Sequence, residues 1–344
     1  MNAERAAPHR RWHMYLAGLA LLGGLILVVS HLGEIEEFLA LAGRAEPRWL
    51  LVALALQFGT YLSTALAWRL ALAAGGRPVS LATLLPLAVA KLFSDQAVPS
   101  AGVSGTAFQL AALTRRGVAP ELAMGVMLTA LVCYFTACLL MDGLSVTILW
   151  RSGELRPWAL VVAVLFAAVA TLIPGSILLL KLFGMRRLLA VAASIGALRP
   201  LVEPFAAAPM TLLRRPVLVA ASILLHASVM LFDATTLWVM FRALGGEIGY
   251  TQALAAFMLA TMTGTIGVIP LGIGTFEASC VTALAMFGAP LETALTATLL
   301  LRGLTLWLPM LPGLWLMRRE LRAGTPRPPP RHAPRRSAAR SAPP

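Results

Sequence analysis

The strongest constraint in this sequence is the recurrence, almost end to end, of apolar stretches long enough to cross a lipid bilayer. Met14–Ser30, Trp49–Ala74, Glu121–Trp150, Trp158–Phe183, Val217–Leu244 and Glu292–Met317 each reach the roughly 17 to 25 residues that a helix needs to span a hydrocarbon core about 30 Å thick. Charged residues make up only 12% of the chain, about half the share of a soluble domain. The solvent of this chain is therefore mostly lipid, and the six stretches read as transmembrane helices. The first follows Arg5, Arg10 and Arg11 as a signal peptide would. It lacks a small-x-small cleavage site before the acidic Glu34, Glu36 and Glu37, so it is counted as a span.

Two further apolar segments cannot be continuous helices. Leu81–Thr114 is interrupted by Ala97-Val98-Pro99-Ser100-Ala101-Gly102-Val103-Ser104-Gly105, and Thr251–Phe287 by Ile269-Pro270-Leu271-Gly272-Ile273-Gly274. Proline removes a backbone donor and glycine weakens a helix, so each break frees polar backbone at membrane depth. That is tolerated where protein or a wet cavity covers it. Each segment is thus expected to be a re-entrant helix-break-helix. The two breaks also resemble each other. Pro99 to Thr106 aligns with Pro270 to Thr275, and Gly117-Val118-Ala119-Pro120-Glu121 with Gly288-Ala289-Pro290-Leu291-Glu292. The offset is near half the chain, which suggests half-repeats at about 49–150 and 217–317.

The net charge of +13 sits at the termini and in short loops between apolar stretches, the pattern of cytoplasmic loops and anionic headgroups rather than of nucleic-acid binding. Arg77, Arg115, Arg116, Lys181, Arg186, Arg187, Arg214, Arg215 and the Arg-rich tail from Arg318 fall on one side, and Glu34 to Glu37 on the other. Both termini are therefore expected in the cytoplasm. Arg151 and Arg156 are a mild violation. With this topology the two broken segments enter from opposite faces, as in the inverted repeats of transporters. The expected fold is an all-α polytopic membrane protein of about six transmembrane helices plus two re-entrant hairpins. A basic stretch, 1–13, would precede the membrane domain, 14–319. A Pro/Arg-rich tail, 320–344, would follow without the aliphatic residues to bury a core. The loop Met185–Pro216, which mixes Leu/Ala runs with arginines and prolines, reads as an interfacial amphipathic helix on the cytoplasmic surface.

A half-helix beginning inside the membrane directs free N–H groups and partial positive charge at what lies before it. Asp95, Pro99, Ser100, Gly102, Ser104 and Gly105 at one break, with Pro270, Gly272, Gly274 and Thr275 at the other, are the candidate residues for a phosphate-bearing lipid headgroup. The competing reading is a tight turn in which Ser104, Thr106 and Thr275 cap helices. Ionisable groups at membrane depth are costly and point to function. Glu277 and Arg302 are expected to pair. His226 and Asp233 lie seven positions apart on one helical face and could relay a proton, or pair structurally with other helices. Lys91, Asp95 and Gln96 would line the mouth of the first break, and Asp142 sits in the third span. Trp68 and Arg69 read as an aromatic belt and a snorkelling cation. Cys133, Cys138 and Cys280 lie in apolar stretches, where cysteine behaves as a small hydrophobe. No metal site, nucleophile elbow or phosphate loop is present, so neither a cofactor nor an enzymatic activity is expected.

Gly272-Ile273-Gly274-Thr275-Phe276-Glu277, then Gly288-Ala289-Pro290 and Leu299-Leu300-Leu301-Arg302-Gly303, resemble the flippase-like membrane family that contains the transmembrane region of lysylphosphatidylglycerol synthase. Val98 to Gly105 and Arg115-Arg116-Gly117-Val118 are similar to its first-half pattern, and the resemblance runs from about Met14 to Arg319. It implies a bundle of the bacterial inner membrane that translocates or binds a lipid. The transferase domain of the bifunctional synthases is not carried over, because a disordered tail is expected in its place. The alternative that resemblance leaves open is a non-catalytic membrane partner of a lipid or glycolipid biosynthetic enzyme, of the kind found with hopanoid pathways.

Overall fold

The protein is described by a computed structural model covering residue 43 and residues 46–97, 103–183, 199–266 and 274–323. All regular structure in the described residues is helical. The helices are α1 (Pro47–Ala74), α2 (Leu81–Ala97), α3 (Val103–Thr114), α4 (Pro120–Arg151), α5 (Pro157–Leu182), α6 (Arg199–Ala207), α7 (Pro216–Ala243), α8 (Tyr250–Ile266), α9 (Thr275–Met286), α10 (Leu291–Arg302) and α11 (Leu308–Ala323). Five stretches are long and apolar enough to cross a membrane: Pro47–Ala74, Pro120–Arg151, Pro157–Lys181, Pro216–Ala243 and Leu291–Arg322. The protein is thus a polytopic helical membrane protein. The expected span at Met14–Ser30 lies outside the described residues.

Helix starts follow directly from the sequence. α1, α4, α5 and α7 each open with proline in the first turn, where its missing N–H has no intrahelical partner to lose and its fixed φ suits the helix. The outer face of α5 leaves Val161, Val164, Leu165 and Leu172 exposed, as suits a helix bathed in acyl chains. Near its end, Lys181 Nζ donates to the carbonyls of Phe205, Ala206 and Ala208 at 2.6, 2.9 and 2.8 Å. This fastens α6, which occupies part of the loop expected to be interfacial.

The two halves match element by element. α1 and α7 both have 28 residues, α2 and α8 both 17, and α3 and α9 both 12. Pro120–Arg151 and Leu291–Arg322 both have 32. The similar stretches Gly117-Val118-Ala119-Pro120 and Gly288-Ala289-Pro290 fold into the same turn. Gly117 and Gly288 have φ of 77° and 84°, and the next residue bonds back five positions in each, Val118 N–H to Leu113 O and Ala289 N–H to Leu284 O. Only glycine takes that left-handed φ without strain.

α1 and α7 pack along each other in antiparallel fashion. Gln57 reaches Asp233 and Thr236, Gly59 abuts Phe232, and Ser63 meets Ser228, so the partner number falls as the α1 number rises. Two cores lie at opposite ends of this pair. One gathers α2, α3 and α11 around Ala65–Leu72 of α1 and Ala123–Leu128 of α4. The other gathers α8, α9 and α10 around Ala53 of α1, Leu149 of α4 and Met230–Ala243 of α7. Across the halves, α2 packs on α11 and α8 on α4.

Three expectations need correction. Trp68 is 3% exposed and sits inside the first core, so it is a packing residue and not part of an aromatic belt. The helix of the last span continues to Ala323, past the expected boundary at 319. That span is also not one regular α-helix, because a π-helical stretch, Gly303–Trp307, separates α10 from α11.

Candidate functional site

At both breaks a carboxylate holds the start of the second half-helix. In the first, Asp95 Oδ1 accepts the Gly105 N–H at 2.9 Å and Asp95 Oδ2 accepts from Lys91 Nζ at 2.6 Å. Lys91 and Asp95 are one turn apart on α2, so a single helical face presents both. Ser104 Oγ donates to Ser94 O at 2.8 Å, a bond that crosses the break. A Cβ at 105 would collide with the Asp95 carboxyl, so any larger residue there would displace the carboxylate from the Gly105 N–H.

The second break is built from different residues to the same end. Glu277 Oε2 accepts the Gly274 N–H at 2.6 Å, and Glu277 Oε1 accepts from Arg302 Nε at 2.6 Å. Gly274, at φ 83°, is the N-cap of α9, and Glu277 stands in its first turn, where the helix dipole favours negative charge. The Arg302 guanidinium carbon lies 4.8 Å from the Phe276 ring centroid, within cation–π range. The Arg302 and Glu277 side chains are 11% and 18% exposed, so water screens this pair little. Pro99, Ser100, Gly102, Pro270 and Gly272 fall outside the described residues.

Arg302 owes its position to a feature that sequence reading did not anticipate. The π-helical turn begins directly after it, with Leu308 N–H bonded to Gly303 O. Such turns occur often at functional sites. The sequence signal was present in Gly303, Pro309 and Pro312, because prolines cannot complete the bonds a regular helix would ask of the preceding turn.

His226 and Asp233 do not share a bond. His226 Nδ1 donates to Ser222 O at 2.7 Å within α7, and its ring meets Tyr134 edge-on. Asp233 Oδ1 accepts from Gln57 Nε2 at 3.0 Å across the α1–α7 contact. Gln57 was not picked out from the sequence. It is an amide 4% exposed in an apolar helix, a signal of the same kind as the carboxylates.

What this arrangement can do follows from its charges. Each half-helix start can receive an anion, and each currently holds a carboxylate of the chain itself, balanced by one cation. Among the described residues no group of three or more His, Cys, Asp or Glu could hold a metal ion. A search of curated proteins finds no match. One family's sequence model, described as Lysylphosphatidylglycerol synthase TM region, matches residues 15–313. With most of its length covered by that match and its described part folded as a helical membrane bundle, the chain belongs to this family.

Proposed function

We propose that this protein binds and translocates a phosphate-bearing lipid across the bacterial inner membrane, using the two breaks as the two ends of its path. In this reading α2–α3 and α8–α9 are re-entrant hairpins of an inverted repeat. They enter from opposite faces, with both termini in the cytoplasm. The observation that carries the reading is the carboxylate at each half-helix start, bonded on one oxygen to a backbone N–H and on the other to a cation. A headgroup phosphate has the charge and acceptors to replace Glu277 on the Gly274 N–H and on Arg302. The displaced carboxylate would then be the spring that returns the site to its closed form.

The orientation is supported by the company the basic loops keep. Arg116 bonds Glu320, and Arg77 Nη2 donates to Gly117 O, so the α1–α2 loop, the α3–α4 loop and the end of α11 meet on one side. Arginine-rich short loops favour the cytoplasm. Basic groups there face anionic headgroups.

The test is transbilayer movement of a labelled phospholipid in proteoliposomes of the full chain, for wild type, Glu277→Gln and Arg302→Ala. Loss of movement in both variants, with the folded protein retained, is the expected result. Normal movement in both would overturn the site. Binding of labelled lipid without movement by wild type would favour a partner of a lipid-modifying enzyme instead.

A further inference from the structure

The sequence contains three aspartates, Asp95, Asp142 and Asp233, and all three lie within apolar helical segments. Two are accounted for by their bonds, Asp95 to Lys91 and Gly105, and Asp233 to Gln57. Asp142 is not. It is 5% exposed, and its Oδ1 has no hydrogen-bond partner. It stands nine residues from the end of α4, about 14 Å along the helix. On the same stretch of α4, Ser145 Oγ donates to the backbone carbonyl of Ala255 on α8 at 3.3 Å. Nearly every buried polar group in a native protein is satisfied, and an exception calls for a reason.

Among the described residues, the charged and titratable groups on the surrounding elements supply no counter-ion. On α4 itself Cys138 and Tyr134 precede Asp142 by one and two turns. α7 brings His226, bonded to Ser222, Asp233, bonded to Gln57, and Arg242, which lies over the Trp238 ring. α1 brings Tyr61 and Arg48, the latter paired with Glu46. α8 brings Tyr250 at its start, bonded to Thr235. α9 brings Glu277, held by Arg302. α3 carries no titratable group. Lys181 of α5 and Glu203 of α6 lie toward the other end of α4, where Gly125 meets Pro209.

The matching contact in the other half has no such group. There α11 meets α2 at Gly313, where a Cβ would lie 2.6 Å from Phe93 Cβ and 3.2 Å from Val89 O. The repeat offset sets Gly313 against Asp142. In one cross-half contact a glycine thus fits closely against Phe93 and the Val89 carbonyl, while in the other the equivalent position is a buried carboxyl one turn from Ser145, which bonds α8. An ionised carboxylate buried without a donor or a cation costs several kcal/mol or more, and an intramembrane acid of this kind points to ion handling.

We propose that Asp142 is a proton-binding site: its carboxyl is neutral while α4 and α8 are in contact, and gives its proton to water when that contact opens. The O–H bond breaks, the carboxylate keeps the electron pair, and water takes the proton. α8 packs on both α4 and α9, so the proton would report the position of α8. The inference stands on the orphaned oxygen and the cross-half contact, and does not require that the chain move lipid.

The test is infrared spectroscopy of the full-length protein in lipid nanodiscs, with aspartate labelled by carbon-13 at the side-chain carboxyl so that only three groups shift. At neutral pH the wild type is expected to show an isotope-shifted band of a protonated carboxyl, lost in Asp142→Asn and kept in Asp233→Asn. Absence of the band in wild type would overturn the proposal. So would its survival in Asp142→Asn, or its loss on adding sodium at constant pH, which would make Asp142 a metal-cation site. Should Asp142→Asn fail to fold, survival of the band in Asp233→Asn supports the assignment, since Asp95 is bonded to a lysine.

Discussion

Arg302 holds Glu277 at 2.6 Å across the α9–α10 junction while its guanidinium lies over Phe276, one residue before that glutamate. One arginine at the edge of a π-helical turn thus grips the first turn of the half-helix after the second break. Lys91 grips the first break from within α2 instead. The ion pair at the second break thus joins two helices, α9 and α10, whereas the ion pair at the first lies within α2, the helix on which α11 packs.

This difference separates two substitutions. Arg302→Ala leaves Glu277 half-paired in a little-exposed site, and losing one partner of a buried pair costs about 3 kcal/mol or more. Arg302→Lys keeps the charge but loses the planar face on Phe276 and the Nε geometry, so it should fall between. Thermal unfolding in detergent should rank wild type above Arg302→Lys and Arg302→Ala lowest. A lysine variant as stable as wild type would show that charge alone matters there.

The broad architecture was legible because a bilayer imposes a length that apolar runs either reach or miss, and proline marks where such runs must start or break. The apolar runs placed four long helices to within a residue or two, and each of these helices opens at a proline, Pro47, Pro120, Pro157 or Pro216. Charge alone brought Glu277 and Arg302 together, since few other partners exist in an apolar span. Gln57 on Asp233 was not legible, because it joins residues 176 positions apart through a packing register that no local pattern encodes. Trp68 was misjudged for a related reason. An aromatic near a helix end looks the same in sequence whether lipid or α2 covers it.

Glycine placement yields a paired test of the cross-half contact. At Gly313 an added methyl would collide with Phe93 and the Val89 carbonyl, whereas at Gly143 on α4 it would meet nothing within 4 Å. Overpacking of a tight contact costs about 1 to 3 kcal/mol, while glycine to alanine in an open helical position changes stability by no more than about 1 kcal/mol, in the favourable direction. Gly313→Ala should therefore lower the melting temperature and Gly143→Ala should hold or raise it. Equal effects would mean that α11 and α2 are not in close contact.

The salt dependence of the cluster at the other end can be stated in advance. Glu320 is bonded by both nitrogens of the Arg116 fork and lies 3.5 Å from Arg115, with the three side chains 18%, 29% and 33% exposed. Partly exposed pairs contribute about 1 kcal/mol or less, although the bidentate fork favours the upper end. A double-mutant cycle of Arg116→Ala and Glu320→Ala should give a coupling of about 1 kcal/mol at low salt that shrinks as ionic strength rises. A coupling unaffected by salt would place the pair out of reach of solvent.

The orientation can be read with cysteine chemistry because the native thiols do not interfere. Cys133, Cys138 and Cys280 are 0%, 1% and 0% exposed, so a membrane-impermeant maleimide should leave wild type unlabelled in intact cells. Ser152, in the α4–α5 turn, and Arg214, just before α7, are exposed and lie at opposite ends of the bundle. If the arginine-rich end faces the cytoplasm, Ser152→Cys labels in intact cells and Arg214→Cys only after the membrane is opened. The antiparallel α1–α7 pairing makes a sharper demand, because equivalent positions of the two halves must then fall on opposite sides. Gly117 and Gly288 occupy the same turn in each half. A cysteine at Arg116 and one at Phe287, the residues just before them, should label from opposite faces. Labelling of both from one face would leave the repeat intact as a sequence pattern but remove the inverted topology on which a two-ended path depends.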